Sequence, residues 1–275
     1  MQQAWDIPEK MKSSLPEFEI ALKAAVKAGN EIIKVYSSDF ASTTKKDNSP
    51  ITIADLKSNK IIKEILSETG ITILSEEDLD DKKRLDEKKV WIIDPLDGTT
   101  DFIKRTGEFT VMISLAEAGK PLLGVIYWPT ENTVFAAQRK CGAWMFANNS
   151  WKQIFVSKIS DLRKCRGVGS RYHISDIDKN LLEKLYLRDF TSVGSSLKVA
   201  KISSGDAEVY FTTTDKIKEW DTCASYSIIS EAGGKMTDMY GKDLSYNNKE
   251  VHHKNGILVT NSLVHNEIIN EFKKL

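Results

Sequence analysis

The 275-residue chain has no excess of either charge, since Lys plus Arg and Asp plus Glu both number 39. Proteins that grip nucleic acid through its phosphates carry a basic surplus, so the composition gives no sign of such a polymer as partner. Small anionic ligands stay open, because a few local cations or a metal can hold them. Cysteine is scarce: Cys141, Cys165 and Cys223 lie far apart and form no Cys-x-x-Cys pair. That spacing argues against a zinc site or a disulfide framework and favours a reduced, cytoplasmic setting. An apolar leader is also missing, for Met1 to Ser14 carries Asp6, Glu9, Lys10 and Lys12. The most apolar region, Phe109 to Trp128, is interrupted by Glu117, Gly119, Lys120 and Pro121. It reads as two strands joined by a turn and not as a membrane span. Repeats and low-complexity tracts are absent too.

What is present suits a globular enzyme. The length permits one large domain or two closely packed subdomains with a sizeable core. A helix is expected from Pro16 to Tyr36, capped by Ser14, with Phe18, Leu22, Ala25, Val26, Gly29, Ile32 and Ile33 at helical spacing. After a polar stretch, Thr52 caps a second helix carrying Leu56, Ile61, Ile62, Ile65 and Leu66, and Gly70 stops it. Short strands follow at Ile71–Leu74, Val90–Ile93, Thr110–Ala116, Leu122–Tyr127, Thr133–Ala137, Ala143–Phe146 and Lys152–Val156. The charged segment Asp78 to Lys89 reads as a solvated loop. Beyond Leu162 strands and helices alternate: Gly167–Ser170, Ile177–Leu187, Phe190–Val193, Ser196–Ser203, Glu208–Thr212, Thr222–Ala232, Gly256–Val259 and Leu263–Phe272. The pattern predicts a layered α/β (α+β) protein with an N-terminal subdomain over 1–160 and a C-terminal α/β subdomain over 161–275.

Carboxylates at strand ends are the sharpest local feature. In Val90-Trp-Ile-Ile-Asp-Pro-Leu-Asp-Gly-Thr-Thr-Asp-Phe102 an apolar strand delivers Asp94, Pro95 fixes the backbone, and Gly98 permits a tight turn. A second strand ends in Glu76-Glu77. Gathered carboxylates repel, and a hard divalent cation is the usual resolution. Taken singly, each has a bland reading that serves as well. Asp-Pro-x-Asp-Gly makes a surface turn, Glu76-Glu77 a solvated pair, and Trp220-Asp221 a helix N-cap. His252-His253 reads as an exposed pair in a polar loop.

Four ordered motifs together resemble the inositol monophosphatase superfamily. They are Trp91-Ile-Ile-Asp-Pro-Leu-Asp-Gly-Thr99, Trp220-Asp-Thr-Cys-Ala-Ser225 with Glu231-Ala-Gly-Gly234, Pro50-Ile-Thr-Ile-Ala-Asp55 and Leu74-Ser-Glu-Glu77. The resemblance spans roughly Phe18 to Asn261. It is nearest to the CysQ branch, the 3′(2′),5′-bisphosphate nucleotidases, through Asp101-Phe-Ile-Lys-Arg-Thr-Gly-Glu-Phe-Thr-Val111, Ser170-Arg-Tyr-His173 and Gly194-Ser-Ser-Leu-Lys198. Tyr172 departs from that branch, which commonly has a small Ser there.

The resemblance implies an αβαβα sandwich and two Mg²⁺ ions, with a third held more weakly. Glu76, Asp94 and the Leu96 carbonyl would hold one ion, and Asp94, Asp97 and Asp221 another. Thr99 and Asp55 would orient and deprotonate the attacking water, with Glu77 beside the metals. Backbone N–H groups of Gly98 and Thr99 are candidates for phosphate oxygens. Ser195, Ser196 and Lys198 are candidates for the distal part of a nucleotide, against a plain N-cap and a solvated lysine. Arg171 and His173 would meet a 5′-phosphate or base, against an ordinary surface loop. The expected reaction is Mg²⁺-dependent, lithium-sensitive hydrolysis of adenosine 3′,5′-bisphosphate to AMP and phosphate, in support of sulfur assimilation. The partner is then a small nucleotide bisphosphate, and the protein a cytoplasmic monomer or homodimer, or one peripheral on the inner membrane. Inositol monophosphate or fructose 1,6-bisphosphate as substrate, and a non-catalytic nucleotide sensor, are the competing readings.

Overall fold

The computed structural model describes residues 7–9, 15–45, 49–172 and 174–275. Helix α1 (Pro16–Tyr36) runs where the apolar spacing puts it, with Pro16 in its first turn and Leu15 as the N-cap. Ser14, expected to cap it, lies outside the described residues. Two short strands, β1 (Ser42–Thr44) and β2 (Pro50–Thr52), pair antiparallel within the stretch that reads as merely polar. Thr52 then caps α2 (Ile53–Leu66): its hydroxyl accepts from Ala54 N, and Asp55 completes a capping box. Leu56, expected on the apolar face, is instead exposed, while Ile62, Ile65 and Leu66 are buried. A short 3₁₀ turn separates the helix from Gly70, which takes the left-handed conformation there.

Seven strands make the larger sheet: β3 (Thr72–Ser75), β4 (Lys89–Asp97), β5 (Thr110–Glu117), β6 (Lys120–Trp128), β7 (Thr133–Gln138), β8 (Gly142–Ala147) and β9 (Ser150–Ile154). They lie in sequence order, antiparallel except for the parallel β3–β4 pair. Alternate residues feed two different cores, as the two-residue period of a strand requires. Val111, Ile113 and Leu115 pack toward α1 and α2, whereas Met112, Ile126 and Phe135 face the other way.

The smaller sheet is ordered β11-β10-β12-β14-β13. Its members are β10 (Arg166–Gly169), β11 (Asp189–Ser192), β12 (Val209–Thr212), β13 (Lys235–Thr237) and β14 (Ile257–Thr260). Helices α5 (Leu197–Ser203) and α6 (Glu219–Glu231) fill the space between the sheets. Helices α4 (Asp176–Leu185) and α7 (His265–Phe272) cover the outer face through Leu181, Leu185 and Ile268. The layers therefore run αβαβα. A five-residue helix, α3 (Thr99–Ile103), follows β4 directly.

Two further expectations are corrected. The 78–89 segment is not a simple solvated loop, because Arg84 in its one-turn helix Lys83–Asp86 is only 2% exposed. His253 is not exposed like His252: its Nε2 lies 2.8 Å from Thr222 Oγ1, and burial lowers its pKa to about 4.

Candidate active site

The site forms where β3, β4 and α6 converge. Strand β4 pairs with β5 through Asp94 opposite Met112, then resumes at Asp97 opposite Thr110. Two residues of β4, Pro95 and Leu96, thus face the single residue Val111, which is a β-bulge. Positions three apart in a regular strand point to opposite faces. The extra residue brings Asp94 and Asp97 round to the same side. Pro95 has no N–H to lose at the bulge, and its carbonyl accepts from Ser58 Oγ of α2 at 2.6 Å. Gly98 follows with φ of +90°, and a Cβ there would lie 3.1 Å from both Glu108 O and Ser195 Cβ.

Glu76 follows β3, its N–H donating to Ile93 O. Asp221 is the third residue of α6 and not its N-cap; it accepts from Lys218 N at 2.7 Å. Carboxylate oxygens of Glu76, Asp94 and Asp221 lie within 4.8 Å of one another. Burial, and then the charges of Glu76, Asp97 and Asp221, push the Asp94 pKa well above the usual carboxylate range. Burial and the charges of Glu76 and Asp97 do the same to Asp221. Carboxylates crowded this closely repel one another, and a hard divalent cation relieves that repulsion, so the three residues fit Mg²⁺. Asp97 is raised by burial as well, but it sits apart from that trio. Its Oδ2 accepts from Ser196 N at 2.5 Å, and the Lys198 charge favours its ionised form.

Beside the cluster, Thr99 Oγ1 lies 3.0 Å from Asp55 Oδ1 and 3.3 Å from the Leu96 carbonyl. The other oxygen of Asp55 accepts from Thr52 N and Oγ1, both at 2.7 Å. Asp55 is wholly buried, which raises its pKa. Glu77 is raised by burial to about 7. Its partner was not foreseen: Lys45 Nζ lies 2.6 Å from Glu77 and 3.1 Å from Glu76. A lone lysine in a polar stretch carries no signal in the sequence. Only the β1–β2 hairpin brings it across 31 residues.

The distal candidates are placed unevenly. Ser195 has φ of +50°, and its buried hydroxyl makes no hydrogen bond among the described residues. Ser196 Oγ lies 2.7 Å from Thr110 Oγ1. Lys198 is buried, not solvated; its ammonium bends back to Ser195 O at 2.5 Å and Val193 O at 3.4 Å. Arg171 is held by Asp101 and Glu108, each at 2.6 Å. Glu108 also accepts from Gly194 N, so this ion pair fixes the loop carrying Ser195. His173 lies outside the described residues.

An αβαβα sandwich with carboxylates gathered at the ends of β3, β4 and α6 is the architecture of a metal-dependent phosphatase. Residues 15–275 match the inositol monophosphatase family model, and the chain belongs to that family. It is 39% identical over 231 residues to the 3′(2′),5′-bisphosphate nucleotidase CysQ of Escherichia coli O6:H1, covering 81% of this chain and 91% of that protein. Identity to the Salmonella typhimurium protein of the same name is 38% over 250 residues, covering 88% and 98%. The crystal structure of CysQ from Bacteroides thetaiotaomicron superposes with a TM-score of 0.78 at 30% identity, covering 90% and 97%.

Proposed function

We propose that the chain is a Mg²⁺-dependent 3′(2′),5′-bisphosphate nucleotidase that converts adenosine 3′,5′-bisphosphate to AMP and phosphate. The observation that carries the reading is the trio Glu76, Asp94 and Asp221, gathered within 4.8 Å beside the Thr99–Asp55 hydrogen bond. The choice of nucleotide rests on the relatives, two of which bear that activity in their names.

In this reading Glu76, Asp94 and the Leu96 carbonyl would hold one ion, and Asp94, Asp97 and Asp221 a second. An ion held there would supply a more acidic water and an offset to the charge of the phosphoryl group. Thr99 orients the water: its hydroxyl hydrogen faces Asp55 Oδ1, leaving oxygen lone pairs free to accept a proton as its own passes to Asp55. Burial of Asp55 disfavours its charged form and so makes it a better base. Glu77, neutralised by Lys45, tempers the field around Glu76. The N–H groups of Gly98 and Thr99 receive phosphate oxygens, and Ser195, Ser196 and Lys198 meet the rest of the nucleotide. Arg171 shapes that end by holding Glu108 and, through it, Gly194. The protein would act in the cytoplasm, free or peripheral on the inner membrane; among the described residues no helix is long and apolar enough to cross one.

The test is phosphate release by the purified protein with Mg²⁺ from adenosine 3′,5′-bisphosphate, inositol 1-phosphate and fructose 1,6-bisphosphate. Preference for the nucleotide is expected. Preference for a sugar or inositol phosphate would overturn the substrate, and no metal-dependent release from any of them would overturn the activity.

A further inference from the structure

Behind the carboxylates, a polar chain with buried ends at Arg84 and Glu219 joins the segment that follows Glu76 to the helix that carries Asp221. Arg84 Nε lies 3.1 Å from both oxygens of Asp80, and its Nη2 lies 2.7 Å from Asp80 Oδ2. The same guanidinium donates to Asn247 Oδ1 at 2.7 Å and to the Asn248 carbonyl at 2.9 Å. Asn247 Nδ2 answers with a bond to Arg84 O at 2.9 Å. Asn247 N, Asn248 N and Asn248 Nδ2 then donate to Glu219 at 2.7, 2.9 and 2.8 Å. Glu219 is fully buried and is the first residue of α6, two before Asp221.

Burying an arginine and a glutamate costs several kcal/mol each unless the geometry is good, and apolar residues of like volume often close such a gap more favourably. Asn247 adds a left-handed backbone, at φ of +61°. The arrangement therefore asks for a reason beyond packing. One lies in the sheet: β3 is an edge strand, so the backbone leading into Glu76 is hydrogen-bonded to a neighbouring strand, β4, on one side only. The segment 78–88 is braced on its other side through Arg84, against the same 247–248 turn that fixes the start of α6.

We propose that Glu219 and Arg84 are positioning residues which, through Asn247 and Asn248, set the separation of Glu76 from Asp221 and so the metal affinity of the cluster. The inference rests on the reading of that cluster as a Mg²⁺ site. Residues that support metal ligands from behind typically lose 10- to 100-fold in metal affinity or activity on mutation.

The experiment is a calorimetric Mg²⁺ titration of the full chain and of Glu219→Gln, Arg84→Met and the double variant. Glu208→Gln is the control, a fully buried glutamate paired with Arg166 in the distal sheet. Gln at 219 keeps the shape but turns an NH₂ toward donors. Roughly 10- to 100-fold weaker Mg²⁺ binding is expected in Glu219→Gln, with a loss in the same direction in Arg84→Met and kcat recovered at raised Mg²⁺. The double variant should fall short of the product of the two losses, because both act through one chain. Glu208→Gln should melt lower yet bind Mg²⁺ like wild type. Unchanged affinity in both single variants, or equal weakening in the control, would overturn the proposal. Should Glu219→Gln fail to fold, Arg84→Met decides alone. Wild-type protein that binds no Mg²⁺ would overturn the metal reading itself, a failure visible before any variant is compared.

Discussion

Thr99 shows how little a single side chain needs for a specific role. Its hydroxyl has two acceptors, Asp55 Oδ1 and the Leu96 carbonyl, and it stands next to the carboxylate trio without belonging to it. Thr99→Val keeps the branched shape and removes the hydroxyl with its bonds to Asp55 and to the Leu96 carbonyl. The expected result is a fall in kcat of roughly 10²- to 10⁴-fold, with Mg²⁺ titration unaltered. A parallel loss of metal binding would instead make Thr99 a support of the ligands. At this scale the candidate trio was legible, because Glu76, Asp94 and Asp221, which the structure brings together, sit in ordered motifs, as does Asp97, which lies apart from them. Lys45 and Glu219 were not. Their partners lie 31 and 28–29 residues away, and no local spacing encodes such a meeting.

Elements were legible to the degree that their periodicity is simple. α1 and the strands β4 to β8 alternate or recur cleanly, and their bounds differ from expectation by a few residues. The β1–β2 hairpin and β13 were missed because each strand is three residues long and carries too few apolar positions to show a period. The bulge in β4 was invisible as well, although it is what turns Asp94 and Asp97 to one face. Strand and helix backbones meet closely at Gly124 of β6, where a Cβ would fall 2.5 Å from Ala224 O and 2.8 Å from Ala224 Cα in α6. Gly124→Ala cannot be absorbed by a flexible side chain, since both neighbours are backbone. About 1–3 kcal/mol of stability should be lost, at roughly 2–4 °C in Tm for each. Mg²⁺ binding should weaken with it, because the helix that is pushed away carries Asp221. A variant with wild-type Tm and affinity would mean that the two layers can slide apart freely.

Over the whole molecule, the layers exist to bring together charges that oppose the fold. Asp94 is buried and Asp221 part-buried, and desolvation together with the charges of Glu76 and Asp97 raises both above the usual carboxylate range. At neutral pH the metal-free protein must either carry that repulsion or hold protons, and both weaken it relative to a neutral cluster. On the proposed reading Mg²⁺ would remove the penalty and add the linkage of a ligand that binds only the folded state, about 2.7 kcal/mol at a hundred times Kd. Asp94→Asn separates the two effects. Its amide oxygen can still accept from Leu96 N, which lies 3.0 Å from Asp94 Oδ1, so the bulge keeps its bond while the cluster loses a charge. In the presence of chelator the variant should melt above the wild type. On addition of Mg²⁺ the wild type should rise past it while the variant stays where it was, with phosphate release abolished. A variant that melts below metal-free wild type would show that Asp94 is stabilising on its own account. The carboxylates would then be held by the fold for a reason other than the metal.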